Sequence, residues 1–93
     1  MLAQPSDAFD ASAPWRINTQ VSLRDEAFGA MAYHHGTRRL VFLKSPELVE
    51  LVRSLERFES ARHAMDAVVA RDQHDRYAIA LLSLASSEII CER

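Results

Sequence analysis

Cysteine occurs once in these 93 residues, at Cys91, and glycine only twice, at Gly29 and Gly36. A lone thiol forms no internal disulfide, so a reducing compartment is the simplest setting. Two glycines build no phosphate-cradling loop, and there is no nucleophile elbow. No apolar run approaches the roughly 20 residues that cross a bilayer. The N-terminal MLAQPSDAFDASAP lacks the basic and continuous apolar regions of a secretory signal. These absences predict a cytoplasmic chain that is not membrane-bound. A basic excess is also missing. The net charge is −2 and the pI about 6.0, which argues against a general nucleic-acid binder but leaves room for a local basic patch.

Catalytic groups are no easier to find. His34 and His35 are neighbours on an expected strand, so they point to opposite faces and cannot chelate together. His63 and His74 lack a partner at the helical i+4 spacing of a zinc pair. Polar surface or hydrogen-bonding roles fit all four histidines. Cys91 has no evident helix N-terminus or base to activate it. The carboxylates are spread over helix starts and solvent faces, with no pair singled out by spacing.

What is present is the composition of an ordinary globular domain, 48 % hydrophobic and 26 % charged. One domain with a modest core is expected, with little apolar surface left for a deep enzyme pocket. Residues 1–14, rich in Ala, Ser, Asp and Pro, read as a loose N-terminal arm, with Phe9 and Trp15 placed to pin it. VSLRDE alternates, with Val21 and Leu23 on one face, and predicts a half-buried strand.

GAMAYHHGTRRLVFL predicts a hairpin with a type II′ turn at Gly36 and Thr37. Counting outward, Tyr33 faces Leu40, Ala32 faces Val41 and Met31 faces Phe42. Alternation then gathers Tyr33, Leu40, Met31 and Phe42 on the expected core face. Ala30, Ala32, Val41 and Leu43 fall on the other.

KSPEL starts a helix, with Ser45 as N-cap, Pro46 in the first turn and Glu47 at the positive end of the dipole. Its apolar stripe is Leu48, Leu51, Val52, Leu55 and Phe58. A second helix follows Ser60, with Ala61, Ala64, Met65 and Val68 inward. A third covers DRYAIALLSLASSE, capped by Asp72 or Asp75. IICER adds a short strand or simply packs. Three strands followed by three helices imply an α+β fold.

Two features leave alternatives open. The basic cluster GTRRL, with Lys44 beyond it, suits protection of an exposed strand edge. It equally suits docking of an acidic partner. The third helix is apolar over about half its circumference, more than the ~100° a core stripe needs. It is either a well-buried terminal helix or a helix with one flank on the core and the other lining a groove.

Three strands then three helices, with the block YHHGTRRL…FLKSP, resemble the winged-helix peptide-binding modules of peptide natural-product biosynthesis. These are the RiPP recognition elements of PqqD-like type. Pro14 to Leu55 is most similar to the MftB branch, the small binding chaperones of the mycofactocin system. The resemblance implies a winged-helix-like, PqqD-like peptide-binding domain over residues 15–93, with a three-stranded antiparallel sheet. It implies no catalysis, no cofactor and no metal. The family binds the leader of a short precursor peptide and presents its C-terminal end to a radical SAM maturase, where a terminal Val-Tyr pair is oxidatively decarboxylated and cross-linked.

Carried onto this chain, the leader docks as an extra strand along Arg39, Leu40, Val41, Phe42, Leu43 and Lys44. Arg76, Tyr77, Ala80, Ser83 and Leu84 of the third helix wall the groove. A Glu-rich leader would be complemented by Arg38, Arg39, Lys44 and Arg76. One rival is a winged-helix DNA-binding protein, although the third helix offers one arginine and three serines to a groove that rewards several cations. The other is a structural subunit that self-pairs through the same edge.

Overall fold

The structure, a computed structural model, describes residues 9–93. Strand β1, Trp15–Ile17, leads into β2, Val21–Glu26, β3, Gly29–His34, and β4, Leu40–Leu43. Helix α1, Pro46–Ser54, runs into a 3-10 turn over Leu55–Arg57. Helix α2 spans Ala61–Val68, a second 3-10 turn covers Arg71–Gln73, and α3 is His74–Ser86. Strand β5, Ile90–Glu92, ends the fold. β2, β3 and β4 form a three-stranded antiparallel sheet in that order, and β1 pairs with β5 in a separate two-stranded ribbon. The architecture is the expected α+β one. The ribbon adds β1, which the sequence did not signal, and makes the IICER segment a strand.

The hairpin register is the expected one, with Tyr33 opposite Leu40, Ala32 opposite Val41 and Met31 opposite Phe42. The turn is different. His34 N–H donates to Arg39 O at 2.9 Å and Arg38 N–H to His34 O at 2.7 Å, which closes a four-residue loop. Arg38, not Gly36, takes the left-handed conformation, at φ 66°. Widening the loop by one residue on each side keeps every pairing unchanged. Gly36 is needed for close approach instead, since a Cβ there would collide with the Gln20 amide and lie 2.9 Å from the His34 ring.

The two faces of the hairpin are reversed from expectation. Ala30, Ala32 and Leu43 are buried, whereas Leu40 is 51 % and Phe42 49 % exposed. Met31 and Tyr33 are half-buried. Helix α1 crosses β3 on the alanine face, and small side chains let it approach. Register says which residues share a face, not which face is covered. β2 carried the missing signal: Val21 and Leu23 stand opposite His34 and Ala32, so the apolar alternation of β2 already marked the alanine side as inner.

The helices start much as their caps dictate. Ser45 has extended backbone, and its Oγ accepts from Leu48 N–H at 3.0 Å. Ser60 Oγ accepts from His63 N–H at 3.1 Å. Val49, Leu51, Val52 and Leu55 are buried, with Leu48 and Phe58 at the margin; Ala61, Ala64 and Met65 are buried from α2. Neither Asp72 nor Asp75 caps α3. The 3-10 turn feeds directly into it, with Gln73 at the N-cap position and no side-chain cap. The core is completed by Trp15, Leu81, Leu84, Ile89 and Ile90.

The loose arm expected over residues 1–14 lies outside the described residues as far as position 8. From Phe9 onward the chain is docked. Ala11 and Ala13 carbonyls accept from Arg62 and Ala61 N–H at the start of α2. Phe9 packs on Trp15 with ring centroids 5.0 Å apart, the pinning contact expected of that pair.

Candidate functional site

β4 is an edge strand. Its inner side is bonded to β3, and among the described residues no strand lies on its outer side. The His34–Arg39 bond sets which groups face which way. Hydrogen-bonded pairs alternate along an antiparallel ladder, so Val41 and Leu43 bond to Ala32 and Ala30. The backbone N–H and C=O groups of Leu40 and Phe42 therefore point out from the edge. An extended peptide can pair with those groups.

At its C-terminal end the edge runs into a cleft of about 650 Å³. Lys44, Ser45, Glu47 and Leu48 form one wall, and Gln73, Arg76, Tyr77 and Ala80 the other; the end of α2 closes it. Tyr77 OH lies 3.3 Å from Ser45 Oγ, which ties α3 to the start of α1. Arg76 Nη1 donates to Gln73 Oε1 at 3.1 Å. Among the described residues, no carboxylate lies within salt-bridge distance of Arg38, Arg39, Lys44 or Arg76. Those four cations are available to an acidic ligand.

The structure brings together Lys44, Arg76, Tyr77 and Ala80 from the expected site. Leu40 and Phe42 are presented on the exposed strand, with Arg38 and Arg39 at its far end in solvent. Val41 and Leu43 turn inward. Ser83 is exposed outside the cleft, and Leu84 is only 4 % exposed, inside the core. The groove flank of α3 is the Arg76–Tyr77–Ala80 side, one turn N-terminal to Leu84. Ser45, Glu47, Leu48 and Gln73 line the cleft beside them. The sequence alone gives Ser45 and Leu48 roles at the start of α1, and only the packing of α3 makes them cleft walls as well.

The histidines hold local structure. His34 Nδ1 accepts from Gly36 and Thr37 N–H, His35 Nε2 lies 2.8 Å from Ser22 Oγ, and His63 Nδ1 is 2.9 Å from Ser60 Oγ. Among the described residues, no three His, Cys, Asp or Glu side chains gather to hold a metal ion, and no helix is long and apolar enough to cross a membrane.

Residues 14–91 match the family model of the peptide chaperone MftB family. The chain belongs to that family. Its match to the "Peptide chaperone MftB" of Mycolicibacterium smegmatis is 46 % identical over 83 residues, 88 % of this chain and 81 % of the relative. The Mycobacterium ulcerans protein of the same description is 42 % identical over 89 residues, 95 % of this chain and 82 % of its own length. The Mycobacterium tuberculosis one is 38 % identical over the same length, with the same coverage. No solved structure matches the chain. Membership of the MftB family gives a peptide-chaperone role, which is not a catalytic one.

Proposed function

We propose that this protein captures the leader of the mycofactocin precursor peptide as a strand added to β4. It then presents the peptide's C-terminal end to a radical SAM maturase in the cytoplasm. The carrying observation is the outer edge of β4, which no strand covers among the described residues, followed from Lys44 onward by a cleft that also holds Arg76 and Tyr77. Main-chain bonds to Leu40 and Phe42 supply affinity that does not depend on sequence, and flanking pockets supply selectivity. Arg38 and Arg39 at one end, with Lys44 and Arg76 at the other, draw in an acidic leader. No catalytic group is needed, because the bond-making chemistry belongs to the maturase.

Calorimetric titration with the precursor, with and without its leader, tests this reading. The leader-containing peptide binds and the leaderless one does not. Affinity falls with added salt, since exposed charges are screened beyond about 8 Å at 0.15 M. Arg39→Glu weakens binding, and salt narrows the difference from wild type. Equal binding of the leaderless peptide would overturn the proposal. So would tight sequence-specific binding of duplex DNA at physiological salt. With precursor and S-adenosylmethionine but no maturase, the peptide mass stays unchanged; any mass change contradicts a purely binding role.

A further inference from the structure

The geometry of β4 suits a second copy of itself. Its outward N–H and C=O groups belong to Leu40 and Phe42, and an antiparallel ladder needs such residues opposite one another. A two-fold axis at Val41 meets that need. Leu40 of each copy then stands opposite Phe42 of the other, and every one of those outward groups finds a partner. On the outer face the same register sets a half-exposed leucine against a half-exposed phenylalanine twice. Phe28 supports each phenylalanine edge-on at 5.8 Å. Cross-strand aromatic–aliphatic pairs stabilise a sheet seam, and an open apolar edge is a template for self-association.

Charge opposes this pairing. Counting outward from the axis, Arg38 of one copy is level with Lys44 of the other, at both ends of the seam. Both residues are exposed, and among the described residues neither has a carboxylate within salt-bridge distance. Arg76 lines the cleft beside Lys44 and adds a further cation at that end. Like charges set opposite each other destabilise a strand pair. Other two-fold registers give no escape. An axis at Phe42 sets Lys44 opposite Leu40 of the other copy and leaves Arg38 as its diagonal neighbour. An axis at Leu40 calls on the Arg38 N–H, which already donates to His34 O at 2.7 Å.

We propose that Arg38 and Lys44 keep β4 from pairing with a second copy of the chain, and so hold the edge open for a strand that carries carboxylates. An acidic strand is attracted at both ends, where a twin is repelled at both. The benefit to an acidic strand rests on the strand-addition reading above. The exclusion of the twin needs no leader and is tested without one.

The test is charge reversal in the full chain. Light scattering over a concentration series reads the oligomeric state, and the thermal midpoint checks folding. Wild type should be monomeric. Arg38→Glu sets a carboxylate opposite Lys44 of the other copy, and Lys44→Glu sets one opposite Arg38. Each should strengthen dimerisation roughly tenfold or more, because two repulsive pairs become attractive. Added salt should weaken those dimers. The double variant faces carboxylate with carboxylate and should return to monomer. Adding Phe42→Pro to either single variant removes an edge donor and should abolish the dimer.

Folded single variants that both stay as monomeric as wild type would overturn the proposal. So would a double variant that dimerises like the single ones, or a dimer indifferent to Phe42→Pro. A wild type that already dimerises through an edge closed by Phe42→Pro would also sink it. Leader titration separates the two readings. A wild type that binds no leader, with single variants that dimerise, removes the strand-addition reading and keeps the exclusion. Leader binding with single variants that stay monomeric does the reverse.

Discussion

The His34 side chain fixes the loop that carries Arg38 and Arg39 by accepting hydrogen bonds. Its Nδ1 takes the Gly36 N–H at 3.0 Å and the Thr37 N–H at 3.1 Å, and the residue is only 3 % exposed. The other ring nitrogen, Nε2, faces Asn18 Nδ2 at 3.4 Å. Replacing His34 with leucine keeps an apolar side chain in place but leaves both N–H groups without their acceptor. The expected loss is about 0.5–1.5 kcal/mol of stability, the net scale of an ordinary hydrogen bond whose donors water can reach, read as a lower thermal midpoint. Leader affinity should fall with it, because the two arginines lose their fixed position. The sequence gives the histidines polar-surface or hydrogen-bonding roles. It could not single out His34, since the donors come from a loop whose conformation depends on Arg38 accepting a positive φ.

At the scale of the element, β4 and α3 each have one side on the body of the fold and one side open. Val41 is bonded to β3, whereas Phe42 sends its N–H outward. Val41→Pro should therefore weaken the sheet itself and lower the thermal midpoint. Phe42→Pro removes an outward donor, the arrangement edge strands tolerate. It should stay folded and bind the leader more weakly than Phe42→Ala, which controls for loss of the ring. Equal leader affinity for the two Phe42 variants would mean that the peptide does not pair with this edge. On α3, Leu84→Ala should cost about 2–5 kcal/mol of stability, as for other buried leucines. It is a probe of the core; under the proposed function, binding probes belong at Arg76, Tyr77 and Ala80. The 100° step of a helix placed Leu84 and Ala80 near one another, but only the packing of α3 against β5 and the cleft decided which was covered.

Across the whole molecule, the segment from Phe9 to Trp15 ties the N-terminal end of the described chain to α2 and to β5. Asp10 organises it. Its carboxylate accepts from Ser12 Oγ at 2.7 Å and Ser12 N–H at 2.9 Å, and its carbonyl accepts from Trp15 Nε1 at 2.8 Å. The Ser12 hydroxyl, then the Ser12 N–H, hold the Asp10 carboxyl below its ordinary value of 3.8. A carboxylate depressed in the folded state adds stability above its unfolded pKa and loses it as pH falls through the folded one. Docking of this segment should therefore weaken on acidification below 3.8, read by Trp15 fluorescence. Asp10→Ala should loosen the segment at neutral pH and remove that acid-dependent step.

The sequence by itself determined β2, β3, β4 and the three helices, the hairpin register and the starts of α1 and α2. Each depends on residues close together in the chain: Ser45 and Pro46, Ser60, the alternation of Val21 and Leu23, and the pairing counted outward from the turn. It also carried the family, through a block of residues around the edge strand. Tertiary structure decided which side of each element is covered. α1 came down on the alanines, so Leu40 and Phe42 face solvent although they are larger and more apolar. α3 turned Leu84 inward and left Ala80 to the cleft. β1 found β5 across the length of the chain. These choices follow from how closely two elements can approach and what each buries, which are properties of pairs of surfaces that a one-dimensional pattern does not contain.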